Sequence, residues 1–117
     1  MNIRECYEAF GGDYEGALDR LYSENVVEMI VLKFPEDDSF RLLEDAMNAG
    51  DYEAAFLASH TLKGVCANLG FTKLQKVSDQ LTEELREGRK PEDDSLFDEV
   101  RSQYNRIIEC LNRYQTG

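Results

Sequence analysis

One histidine, two prolines, three cysteines and 13 Lys plus Arg against 24 Asp plus Glu mark what this 117-residue chain has little of. A single histidine is too few for a metal- or haem-binding bundle, which needs several inward histidines and carboxylates at Glu-x-x-His spacing. With so little proline and no long run of small polar residues, the chain does not have the composition of a disordered segment. Cys6, Cys66 and Cys110 are odd in number, widely spaced and form no C-x-x-C pair, which speaks against a disulfide framework and a zinc site. The formal net charge of −11 removes nucleic acid from the expected partners, because binding a phosphate backbone depends on Lys and Arg displacing condensed counterions.

Other absences narrow the reading further. No apolar run approaches the roughly 20 residues needed to span a bilayer, so no membrane partner is expected. Met1-Asn2-Ile3-Arg4-Glu5 has neither the charged nor the apolar region of a signal peptide, and a cytoplasmic location is expected. There is no glycine-rich phosphate loop and no second histidine, so the chain is not expected to use ATP by itself. No segment alternates apolar and polar residues between turn residues, so strand signals are almost absent.

What remains is helical periodicity in one domain-sized chain, 1–117, with 42% hydrophobic residues. A short first helix falls in 1–12, where Cys6, Tyr7 and Phe10 recur before Gly11-Gly12 breaks it. Asp13 caps a second helix over 13–34, with Ala17, Leu18, Leu21, Tyr22, Val26, Met29, Ile30 and Lys33 or Phe34 as its stripe. Pro35 ends it, and Asp38 or Ser39 opens a helix through 49 that turns Phe40, Leu43, Ala46 and Met47 inward before Gly50. Thr72-Lys73-Leu74-Gln75 has the pattern of a capping box and starts a helix that buries Leu74, Val77, Leu81 and Leu85 and ends at Gly88. After the basic linker Gly88-Arg89-Lys90-Pro91, Asp93 or Asp94 caps a last helix to about 114, with Leu96, Val100, Tyr104, Ile107, Ile108 and Leu111 inward. The expected fold is all-α, an antiparallel four-helix bundle over 38–115 with additional N-terminal helices over 1–34.

The remaining helix, 51–70, holds the histidine. Asp51 is its expected N-cap and Gly70 its expected C-terminal stop. A step of about 100° per residue puts Ala55, Ala58, Leu62, Val65, Cys66 and Leu69 on one buried face, and turns His60 the opposite way. Phe56, Leu57, Lys63, Gly64 and Ala67 share the His60 face, with Phe71 just beyond the helix end. A glycine inside a helix costs on the order of 1 kcal/mol relative to alanine, so Gly64 is read as space beside the imidazole. A lone imidazole with a lysine one turn on and a missing side chain next to it suits a neutral nitrogen nucleophile that receives a bulky dianion, its charge offset by Lys63.

His60-Thr61-Leu62-Lys63-Gly64, followed by Asn68-Leu69-Gly70, resembles the H-x-L-K-G-x-x-x-x-L-G signature of histidine-containing phosphotransfer (HPt) domains. The helix order and the lead-in Gly50-Asp51-Tyr52-Glu53-Ala54-Ala55 resemble that family as well. The resemblance implies a phosphorelay carrier without kinase activity of its own. His60 would take a phosphoryl group from the aspartyl phosphate of a response-regulator receiver domain, or from a hybrid histidine kinase relay, and pass it to another receiver. It implies a monomer without a cofactor of its own, the Mg2+ belonging to the partner receiver.

By comparison with the family, the position that often holds a ring-orienting glutamine or glutamate falls on Thr82, and a basic position of some members on Arg86. Thr82 is shorter, so it either reaches the imidazole through water or is a plain surface residue. Arg86 either adds charge near the phosphohistidine or pairs with Glu83 and Glu87 on the surface. Phe56, Leu57, Ala67 and Phe71 are expected to dock the receiver, with Phe56 and Leu57 alternatively packed under the preceding helix. The net negative charge is the wrong sign for long-range steering toward an acidic receiver pocket. The alternative from another class is a non-phosphorylated docking or adaptor module.

Overall fold

The computed structural model describes residues 2–116, and among these it is helical throughout with no strand. Three helices come first: α1 (Ile3–Phe10), α2 (Tyr14–Leu21) and α3 (Glu24–Leu32), followed by a 3-10 turn at Phe34–Glu36. Four longer helices follow: α4 (Ser39–Ala49), α5 (Tyr52–Leu69), α6 (Thr72–Glu84) and α7 (Ser95–Thr116). Tight turns at Gly50 and Gly70, both left-handed, fold α4 back on α5 and α5 back on α6. The Phe40 ring on α4 stacks on Tyr104 of α7 with centroids 4.1 Å apart, and Arg101 of α7 pairs with Glu44 of α4, which closes the antiparallel four-helix bundle.

The N-terminal helices lie against one flank and one end of that bundle. Cys6 and Cys110 face each other where α1 packs on α7, and Arg106 of α7 donates to the Ala9 carbonyl. One continuous apolar core runs from Ile3 to Leu111 and draws on all seven helices. Cys66 lies inside it, and burial pushes its thiol well above the usual thiol range.

Several local expectations need correction. The single helix expected over 13–34 is two, because Tyr22 takes a left-handed conformation (φ 70°) and Ser23 starts afresh as N-cap, accepting from the Val26 N–H at 3.1 Å. The break rotates the stripe: Val27 and Val31 are buried, while Tyr22 is 90% exposed and Met29 lies largely in solvent. The capping box at Thr72 does not form either; Phe71 takes the N-cap position without a side-chain bond, and the Thr72 hydroxyl turns to the Gly70 carbonyl. Phe71 is drawn inward by its aromatic neighbours, which removes the threonine from the cap. On α7 the inward face includes Phe97 and Cys110, leaving Leu96, Tyr104 and Ile108 half-buried.

Candidate functional site

The site is carried by α5. Asp51 accepts from the Ala54 N–H at 3.2 Å and opens the helix, and the Gly70 N–H closes it on the Cys66 carbonyl. Gly70 is required there twice over: φ is +73°, and a Cβ would collide with the Asp13 carbonyl. Asp13 donates its N–H to the Gly70 carbonyl at 2.7 Å, Tyr7 donates its hydroxyl to Leu69 O at 2.5 Å, and Arg20 Nε donates to Asn68 O at 3.1 Å. Three of the carbonyls that a helix end leaves without partners are thus satisfied from α1 and α2.

Midway along this anchored helix, His60 is exposed, and its ring lies nearly parallel to that of Phe56 (13° between planes, centroids 6.2 Å apart). Among the described residues neither ring nitrogen has a hydrogen-bond partner. Lys63, one turn on, is only partly exposed and bridges to α6, its Nζ 3.2 Å from Asp79 Oδ1. Gly64 is exposed, and a Cβ built there would meet nothing within 4 Å. Its missing side chain therefore serves no packing within the chain and leaves clear the approach beside His60.

The other expected site residues divide. Leu57 is 64% exposed, and Phe56 and Ala67 are half-buried on the same side of α5. Phe71 is not on that surface: it is fully buried, ringed by Tyr7, Phe10 and Phe34 with centroids 4.9 to 5.7 Å away, and cannot dock a partner. Thr82 is not a surface residue either, nor does it reach the imidazole. It is buried between α5 and α6, where its hydroxyl donates to Ser78 O at 2.7 Å and lies 2.5 Å from Ser59 Oγ. With its one proton given to the carbonyl, Thr82 can only accept from Ser59. Arg86 sits in the 3-10 turn Arg86–Gly88 after α6 and forks onto Glu83 at 2.7 and 3.2 Å, an exposed surface pair. Those hydrogen bonds hold the Glu83 carboxyl below the usual carboxylate range, and the Lys63 charge adds to the effect.

Asp79 is the residue that sequence reasoning missed. A signal was present: 54–78 contains three lysines and no acid in a chain with 24 of them, and Asp79 is the first acid after it. The antiparallel turn supplies the register, since Ser59 and Thr82 lie equally far from Gly70 and Phe71, and Lys63 and Asp79 nearly so. Among the described residues no cluster of three or more His, Cys, Asp or Glu converges in a metal-binding group, and no helix is long and apolar enough to cross a membrane.

The family model for the Hpt domain matches residues 36–112, from the 3-10 turn before α4 into α7. Neither a curated protein nor a solved structure matches the chain.

Proposed function

Because the chain belongs to the Hpt domain family, whose members act as histidine phosphotransfer carriers in phosphorelays and are not kinases, we propose that His60 is its phosphoacceptor. The observation that carries the reading is an unengaged imidazole on an anchored helix, with an ammonium one turn on and open space at Gly64. A ring nitrogen of His60 attacks phosphorus of a receiver's aspartyl phosphate. The N–P bond forms as the P–O bond breaks, and the carboxylate leaves with the electron pair. Onward transfer reverses these roles at a second receiver. Lys63 offsets charge on the phosphoryl oxygens, Gly64 admits the partner's edge, and Phe56, Leu57 and Ala67 form the apolar contact that excludes water. The chain needs no cofactor of its own, the magnesium being the receiver's, and it works as a cytoplasmic monomer.

A second reading, a docking module that is never phosphorylated, rests on one observation: no side chain holds the imidazole in a fixed orientation. Incubation with a receiver charged by acetyl phosphate separates the two. Acid-labile, base-stable label on the wild type and none on His60→Gln supports the carrier. No label from several receivers leaves the docking module, and equal label on both chains moves the acceptor away from His60.

A further inference from the structure

Lys63, one turn from His60 on α5, is held by a carboxylate of the neighbouring helix α6. Its ammonium is 3.2 Å from Asp79 Oδ1, with the lysine side chain 29% exposed and the aspartate 53%. Glu83, one turn further along α6, also feels the Lys63 charge, but its hydrogen bonds go to Arg86. Among the described residues Asp79 has no hydrogen-bond or ion-pair partner other than Lys63.

Resting on His60 as the acceptor, we infer that Asp79 is a positioning residue that limits how much of the Lys63 charge reaches a phosphoryl group on His60. A phosphoryl dianion on α5 and a carboxylate on α6 compete for one cation that lies between the two helices. Every fraction of the ammonium kept by Asp79 is lost to the phosphohistidine, so the loaded chain holds its group less tightly and gives it up more readily. Asp79 thereby biases the chain toward relay and away from storage. Without a receiver the same bias shows in hydrolysis: a water oxygen bonds to phosphorus, the P–N bond breaks, and the imidazole nitrogen keeps the bonding pair and takes up a proton.

The full chain can be loaded with phosphoramidate, a small phosphoryl donor that needs no second protein, and the decay of the phosphohistidine followed in wild type, Asp79→Asn, Lys63→Met and the double variant. Both residues lie partly in solvent, so these chains fold. Asp79→Asn lengthens the half-life about threefold, the scale of one exposed ion pair, and Lys63→Met shortens it. The double variant decays like Lys63→Met alone, because Asp79 has nothing to act through once the ammonium is gone. A half-life unchanged by Asp79→Asn overturns the inference, as does an Asp79→Asn effect that persists beside Lys63→Met; either leaves the carrier reading intact. Failure of the wild type to take label at His60 overturns the carrier reading and this inference with it.

Discussion

Ser59 on α5, the residue before the exposed His60, donates its hydroxyl proton to Thr82 on α6 across a buried 2.5 Å contact. Thr82→Val keeps the shape and strands the Ser59 proton, so it lowers stability by about 1–2 kcal/mol. Ser78 Oγ, in the same seam, is buried without a partner, so Ser78→Ala has the opposite sign and gains up to about 1 kcal/mol. Urea midpoints check both, and the ring-proton shifts of His60 stay in place in Thr82→Val because that hydroxyl does not touch the imidazole.

Gly64 separates stability from transfer. A methyl group there meets nothing within 4 Å, so Gly64→Ala raises stability by about 0.5–1 kcal/mol through helix propensity alone. Gly64→Gln also folds, but it obstructs the approach beside His60 and slows receiver-to-chain transfer on the order of tenfold to a hundredfold. Thermal melts and rapid-quench transfer read the two effects.

Phe71 and Leu57 differ in kind. Phe71→Ala empties the centre of an aromatic cluster and costs about 3–5 kcal/mol. Leu57→Ala, at a position 64% exposed, changes stability by less than about 0.5 kcal/mol and weakens receiver binding instead. Denaturant melts of both variants and titration of Leu57→Ala with a receiver distinguish them.

Alkaline pH weakens the fold through buried acids. Burial pushes the Cys66 thiol far up and the Cys6 thiol up to about 12, and it raises the Tyr7 hydroxyl. Below about pH 8, thiols are protonated in the folded and unfolded chain alike. Above that, the unfolded chain releases protons that the folded chain keeps, so stability falls as pH rises, by up to about 1.4 kcal/mol per pH unit for each thiol. Urea midpoints at pH 8 and 10 measure the decline, which is shallower in Cys66→Ala.

The centre of the fold was readable because Gly50, Asp51 and Gly70 carry local instructions that tertiary packing does not override. The break at Tyr22 was hidden because apolar spacing continues across it, and only the Ser23 cap betrays a restart. Helical spacing placed His60, Lys63 and Gly64 on one face, since all three share one element. It failed for Phe71, which lies past the helix end where the wheel no longer applies; Thr82, reached by comparison with the family, points inward because its direction depends on how α6 is turned against α5. Asp79 needed the pairing register of two helices, which a one-helix reading does not contain.

That register has a mechanical meaning. Ser59 with Thr82 and Lys63 with Asp79 are two teeth one turn apart, and a slip or roll of α5 against α6 disengages both together. The helix pair thus behaves as a keyed shaft: the teeth fix how α5 is turned on α6, and the imidazole of His60 turns freely on the shaft they lock.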